Sequence, residues 1–185
     1  VRKLFSFALD AGVVEAHPCL RMKAPAPENA RQRVLTDDEI RALWHAPEAA
    51  LDRNTLDALR LQLLTACRIG EVIAATEEEF DLARAIWVIP GARTKNRLAL
   101  AVPLSAAAQD IVRSRKAKNG YLWPTKTAPL ARTARPRCLM PDTLAHQLLH
   151  MTSELGLEHF TTHDLRRTAA TRLGELGFSK ERRCG

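Results

Sequence analysis

Paired cysteines are missing from this chain. Cys19, Cys67, Cys138 and Cys184 are scattered, with no C-x-x-C pair among them. That excludes a zinc ribbon built on paired thiolates and a small disulfide scaffold, so they are expected to be reduced thiols. Long apolar runs are missing too: nothing approaches the ~18 residues of a membrane span. The opening V-R-K-L-F-S-F-A-L-D lacks the apolar core and cleavage site of an export signal. These absences together point to a cytoplasmic protein with no membrane partner. His146 and His150 share a helical face, but H-Q-L-L-H lacks the glutamate of a metalloprotease motif and has no third ligand in view, so no metal is expected. Tyrosine is nearly absent, with Tyr121 the single instance. No internal repeat is present.

The composition that remains is that of a folded protein. Hydrophobic residues make up 46% and charged residues 26% of 185 positions, enough for one domain with a substantial core and a fragment of a second. Twenty-eight Lys and Arg against 21 Asp and Glu leave a net charge of +7. An excess of that size attracts polyanions, and nucleic acid is the usual one.

The first 11 residues carry Leu4, Phe5, Ala8 and Leu9 on one helical stripe, and Gly12 is a stop. A tail with Pro18, Pro25 and Pro27 follows, the composition of an extended linker. Residues 1–23 therefore read as the last piece of an upstream unit, 24–34 as a linker, and 35–185 as a second unit. That unit opens on Thr36-Asp37-Asp38-Glu39, a capping box for a helix through Ile40, Leu43 and Trp44. Asn54 and Asp57 suggest the start of another helix, with Leu56, Leu59, Leu63 and Leu64 as its apolar face, ending near Cys67. A-I-W-V-I-P (85–90) and L-A-L-A-V-P-L (98–104) read as two strands joined by the polar G-A-R-T-K-N-R. Ser105 caps a helix to about Lys116, residues 125–138 form a basic loop, a helix from Pro141 is closed by Gly156, and Thr161 caps a last one. The expected fold class is α+β, mainly α-helical, with a small antiparallel sheet.

Arg68 and Glu71 are three apart where an apolar helix ends. Two readings fit: a structural ion pair, or a phosphate clamp whose fork the glutamate holds. His163 and Arg166 share a face in the first turn of a capped helix, where free amides and the helix dipole favour an anion. Arg167 points elsewhere, a solvated or DNA-facing charge. Lys95 stands at the tip of a hairpin and gains meaning only from the order Arg, Lys, His-x-x-Arg.

With R-V-L-T-D-D-E-I, L-L-T-A-C-R-I-G-E-V, F-D-L-A-R-A-I-W-V-I-P, R-T-K-N-R, A-V-P-L-S and T-T-H-D-L-R-R-T-A-A-T-R-L in that order, residues 33–180 resemble the catalytic domain of the tyrosine recombinases, the phage integrase family. Residues 1–23 look like the final helix of the core-binding domain that precedes it. One departure is Ala66, where the family often has Gly.

The resemblance implies site-specific DNA breakage and rejoining through a 3′-phosphotyrosyl intermediate. Arg68 and Arg166 would bind the non-bridging oxygens of the scissile phosphate, Lys95 would protonate the departing 5′ oxygen, His163 would hydrogen-bond the phosphate and assist proton transfer, and Glu71 would support Arg68. No cofactor or metal is implied. Double-stranded DNA is the implied partner, with Arg93, Arg97, Arg132, Arg135, Arg137 and Arg167 as candidate DNA contacts; the oligomeric state is left open, a homo-oligomer on DNA among the arrangements allowed. The family places a His or Trp and then the nucleophilic Tyr beyond the His-x-x-Arg helix. Neither falls within this sequence, so the domain is expected to be incomplete at its C-terminus and to lack its nucleophile, Tyr121 being a packing residue. The competing expectation is a cleavage-dead DNA-binding relic or regulator.

Overall fold

The computed structural model describes residues 2–19, 33–47, 49–115, 120–125 and 138–178. It divides the chain into two compact units, Val1–Arg31 and Gln32–Gly185. In the first, helix α1 (Arg2–Asp10) ends at Gly12, whose φ of +69° suits a residue without a Cβ. Phe5 lies against the His17 ring at 6.2 Å. Of the expected stripe, Phe5 and Ala8 are half-buried while Leu4 and Leu9 stay exposed.

The second unit begins with α2 (Asp37–Trp44). Its cap is the one the sequence spells out: the Thr36 hydroxyl accepts the Glu39 amide, and Glu39 Oε2 accepts the Thr36 amide at 2.9 Å. Next comes α3 (Arg53–Thr65), where the expectation needs correction. Its N-cap is Asp52, which accepts the Thr55 amide. Asn54 and Asp57 lie inside the helix and serve a different purpose. The buried row also differs: Leu56, Ala58, Leu59, Leu61 and Gln62 are buried, whereas Leu63 and Leu64 are only partly so. Helix α3 is enclosed because it packs against α2 and against three later helices, α4 (Ile69–Ile73), α5 (Ala106–Arg113) and α7 (Thr162–Glu175). A helix buried on most sides has no single apolar stripe for periodicity to find.

The sheet has one strand more than the sequence suggested. A 3₁₀ turn at Glu77–Glu79 leads into the two-residue β1 (Phe80–Asp81), which pairs antiparallel with β2 (Ile86–Ile89), itself antiparallel to β3 (Leu100–Pro103). Phe80 faces Trp87 across the first pair, with the rings stacked at 5.1 Å. Trp87 and Ile89 enter the core and Val88 between them does not, the period-two alternation of a half-buried strand. Helix α5 ends at Arg113, earlier than expected. Helix α6 (Pro141–Glu154) is followed by Gly156 at φ +63°. Arg132, Arg135 and Arg137 lie outside the described residues.

Two polar clusters lock this frame. Asp57, buried in α3, accepts from Arg53 at 3.0 Å, from Arg60 at 3.0 Å and from Arg115. Burial pushes its carboxyl up, but hydrogen bonds from Arg115 and Arg53 outweigh that and hold it below the usual carboxylate range. Arg115 also bonds Asn54 at 2.6 Å and lies over Trp123 at 5.2 Å. At the other end, Arg33 pairs with Glu39 and donates to the carbonyls of Glu158 and His159 at 3.0 and 2.7 Å. These bonds pin the loop that leads into α7. The Thr168 hydroxyl, on α7, accepts the Leu35 amide at 2.9 Å and ties that helix to the start of the unit.

Candidate active site

Three of the expected residues converge. Arg68, Ile69, Gly70, Gln62, Thr162, His163 and Arg166 line one cavity of about 190 Å³. Arg68 arrives there because α3 terminates at Ala66 in the left-handed region, φ +55°, which turns the chain sharply before α4. That conformation costs an L-residue about 1–2 kcal/mol, a strain that Gly would not carry. Arg68 is then the N-cap of α4.

Glu71 organises the floor. Its carboxylate is almost wholly buried and accepts the Arg68 amide at 2.7 Å and Arg68 Nη1 at 2.8 Å. Its Oε2 lies 3.9 Å from Arg166 Nη1. One buried carboxylate thus stands between two guanidinium groups that come from elements far apart in sequence. The ion pair of the first reading is present, and it holds the arginine beside a cavity.

Helix α7 supplies the other wall. The Thr161 hydroxyl accepts the Asp164 amide, and Asp164 Oδ2 accepts the Thr161 amide at 2.9 Å and its hydroxyl at 2.8 Å. This closed cap sets Thr162 and His163 in the first turn, where the helix dipole favours an anion. His163 is exposed and Arg166 is mostly buried. Arg166 Nη1 is fully enclosed and has no hydrogen-bond partner among the described residues. Such a donor is costly to leave unpaired.

The remaining candidates are placed differently. Lys95 is exposed on the β2–β3 connection and is not among the residues lining the cavity. Arg97 is exposed, at φ +60°. Arg167 is half-buried and already engaged in an interaction. Arg93 departs from the DNA-facing expectation, because its fork is spent inside the protein: Nη1 donates to the Glu71 carbonyl at 3.0 Å and Nη2 to the Glu79 carboxylate. Tyr121 is half-buried in a β-bridge with Thr76 and does not line the cavity. His146 lines a separate cavity of about 390 Å³ with Leu148, Leu149 and Phe160, and His150 sits 3.5 Å from Glu154. Among the described residues, no group of three or more His, Cys, Asp or Glu could hold a metal, and no helix is long and apolar enough to cross a membrane.

Gln62 and Thr162 were not anticipated as lining residues. A signal for Gln62 existed in the one uncharged polar residue among L-R-L-Q-L-L, since a glutamine in so apolar a run has a buried amide to satisfy. Its Nε2 donates to the Cys67 carbonyl at 3.3 Å, while Oε1 has no partner among the described residues.

The turn carrying Lys95 is tightly built. Thr94 Oγ1 lies 2.7 Å from the Leu98 carbonyl and 3.0 Å from that of Gly91. A Cβ at Gly91 would come within 2.4 Å of the Arg97 carbonyl oxygen. Gly91→Ala is therefore expected to lower stability by about 1–3 kcal/mol, read as a fall in Tm, and to shift the amide resonances of residues 94–98 in a ¹H–¹⁵N spectrum; unchanged resonances there would contradict this account of the turn.

Comparison with known proteins agrees with the architecture. The model of the Phage integrase family matches residues 33–181. The chain is similar to tyrosine recombinase XerD of Pseudomonas aeruginosa, at 25% identity over 178 residues that cover 94% of this chain and 59% of that protein. It is also similar to tyrosine recombinase XerC of Roseiflexus castenholzii, at 26% identity over 188 residues, covering 96% of this chain and 58% of the other. The chain thus spans just under three-fifths of the length of these curated relatives. Its fold is shared with the Tn1549 transposon integrase solved in complex with a circular intermediate DNA, with a TM-score of 0.70 at 13% identity over 97% of this chain and 66% of that one. XerA recombinase superposes with a TM-score of 0.64 at 19% identity, over 97% and 62%.

Proposed function

Because this chain belongs to the phage integrase family of tyrosine recombinases, we propose that its cavity binds one phosphodiester of double-stranded DNA and activates it for strand breakage and rejoining. The observation that supports this most is the enclosed Nη1 of Arg166, without a hydrogen-bond partner among the described residues, on an arginine that shares a cavity with Arg68 and His163. A structural ion-pair network would close on itself. This one leaves an enclosed guanidinium nitrogen without a hydrogen bond among the described residues, on an arginine that lines the cavity.

In the proposed reaction, Arg68 and Arg166 hold the two non-bridging oxygens and stabilise the charge that grows on them in the pentavalent transition state. Glu71 keeps Arg68 aimed. A tyrosine hydroxyl attacks phosphorus, His163 assists removal of its proton, and the bond to the 5′ oxygen breaks as Lys95 Nζ protonates it. Rejoining is the reverse, with the 5′ hydroxyl as nucleophile. Fixed cations do the electrostatic work, so the scheme calls for no metal or cofactor. Tyr121 sits in its bridge rather than at the cavity, so the attacking tyrosine is assigned to a residue outside these 185, on the same polypeptide or on a neighbouring subunit. The same observation favours a second reading, a protein that binds DNA through this site without cutting it. Arg97 and the basic segment holding Arg132, Arg135 and Arg137 add backbone contacts in either case.

Equilibrium binding to duplex DNA, titrated over about 50–200 mM salt, tests the phosphate site. Arg68→Ala plus Arg166→Ala is expected to weaken binding and to reduce the magnitude of the log–log salt slope by about one. Unchanged affinity and slope would remove the phosphate assignment. A nicked suicide duplex incubated with this chain and a tyrosine-bearing relative separates the two readings: a denaturant-stable protein–DNA adduct that needs Arg68 of this chain supports cleavage, and its absence supports binding alone.

A further inference from the structure

Under the reading above, Lys95 must reach a phosphate whose other ligands stand on α4 and α7. Yet it projects from an exposed turn and does not line the cavity. Its distance from the two arginines is therefore set by whatever fastens the β2–β3 connection to α4. Among the described residues, a side chain of the connection itself makes such a fastening. Arg93, two residues before Lys95, donates through Nη1 to the main-chain carbonyl of Glu71 at 3.0 Å. Helix α4 ends two residues after Glu71, and the Ala75 amide goes to the Val72 carbonyl. The Glu71 carbonyl is one of the acceptors a helix end leaves over, and Arg93 takes it.

The other branch of the fork is fixed as firmly. Arg93 Nη2 bonds the Glu79 carboxylate, which is nearly buried, and Glu79 Oε2 also accepts from Trp87 Nε1 at 2.9 Å. Trp87 is fully buried in β2. The planar guanidinium thus spans α4, the 3₁₀ turn before β1, and the turn that carries Lys95. A lysine, with one point charge on a flexible stem, cannot hold both acceptors in that geometry. Glu71 is also the residue whose carboxylate orients Arg68.

We propose that Arg93 is a positioning residue: it locks the turn bearing the general acid Lys95 to Glu71, and so fixes the general acid relative to the Arg68–Arg166 pair. The inference rests on the phosphate-site reading, and its role differs from the DNA-backbone contact that the sequence suggested for this arginine. Small misplacements of a reacting group are costly, so the effect falls on the transition state more than on ground-state DNA binding.

The test uses the full chain and a nicked duplex, with orthovanadate as the mimic of pentavalent phosphorus, and measures Kd with and without vanadate. The wild type is expected to tighten when vanadate is added. Arg93→Lys is expected to lose about tenfold of that tightening while its vanadate-free affinity and salt slope stay unchanged. Combined with Lys95→Ala, it is expected to cost nothing beyond Lys95→Ala alone. If Arg93→Lys keeps the full vanadate effect, charge alone suffices and the proposal falls. If the two substitutions add independently, Arg93 does not act through Lys95 and the proposal falls likewise. A wild type that shows no vanadate effect overturns the proposal; one whose salt slope is also unmoved by Arg68→Ala plus Arg166→Ala overturns the phosphate-site reading itself, a distinct outcome. Should Arg93→Lys fail to fold, Glu79→Gln loosens the same fork without touching the arginine and is expected to lose vanadate tightening in the same non-additive way.

Discussion

Asp57→Ala is expected to destabilise the second unit by about 3–5 kcal/mol, the cost of removing one partner from a buried charge cluster. Asp57 is 2% exposed and compensates three guanidinium groups, those of Arg53, Arg60 and Arg115. Arg53 is more than half exposed and water can take over its charge, but Arg60 and Arg115 are mostly enclosed. They would be left with like charges facing one another in the space Asp57 vacates. For a domain of this size the loss corresponds to roughly 10 °C in Tm or more, measurable by calorimetry. The pH dependence gives a second check with a definite sign. The Asp57 carboxyl titrates below its ordinary value in the folded state, so the folded protein binds its proton less readily than the unfolded chain. The stabilisation is therefore fully present above the unfolded-state pKa of about 3.9. It is lost as pH falls through the depressed folded value. Asp57→Asn should flatten that acid limb of the stability curve while lowering stability at neutral pH. An Asp57→Ala protein with wild-type Tm would show that the cluster is a crowded surface feature with no net contribution.

Arg166→Ala is expected to reduce the vanadate-dependent affinity for nicked duplex by about 10²–10³, the effect of deleting one donor to a developing oxyanion. The reasoning turns on where the guanidinium sits. Nη1 is enclosed, lacks a hydrogen-bond partner among the described residues, and pairs with a Glu71 carboxylate oxygen only at 3.9 Å, too far for a hydrogen bond. Arg166 is held close enough to Glu71 to be tolerated in a buried place, and loosely enough for a phosphate oxygen to complete its coordination. Arg166→Lys keeps the charge but loses the second branch of the fork, so it should recover only a small part of the effect. Stability offers an internal contrast: because Arg166 is not tightly paired, Arg166→Ala should leave Tm nearly unchanged. A large drop in Tm with no change in vanadate binding would make Arg166 a structural residue and would count heavily against the proposed site.

The two predictions separate what could be read along the chain from what could not. The caps of α2, α5 and α7 were legible because a capping hydroxyl and the amide it satisfies lie three residues apart: Thr36 with Glu39, Ser105 with Ala108, Thr161 with Asp164. The Arg68–Glu71 pair was legible for the same reason, and the β2–β3 hairpin because two apolar runs flank a polar connection. Asp57 was misread as a helix start, because an aspartate near an apolar run usually caps it and its true partner, Arg115, is 58 residues away. Strand β1 was overlooked because two residues carry no period of their own and are strands only by pairing with β2. Gln62 was not singled out in the sequence, and its burial follows from packing on several sides of α3.

By itself, then, the sequence determined the set of charged residues and the local geometry that presents each of them: two arginines, one near the start of α4 and one on the first turns of α7, and a lysine on a turn. Interactions within about four residues decide caps, turns and i,i+3 pairs, and these survive any tertiary arrangement. The tertiary structure alone decided that Arg68 and Arg166 flank one buried carboxylate, and that Arg93 turns inward to Glu71 and Glu79 instead of outward. Both outcomes depend on α3 bringing α4 and α7 to the same side of the core. A guanidinium in that setting takes whichever acceptors the packing places within reach, because leaving it unpaired there costs more than any exposed contact could return.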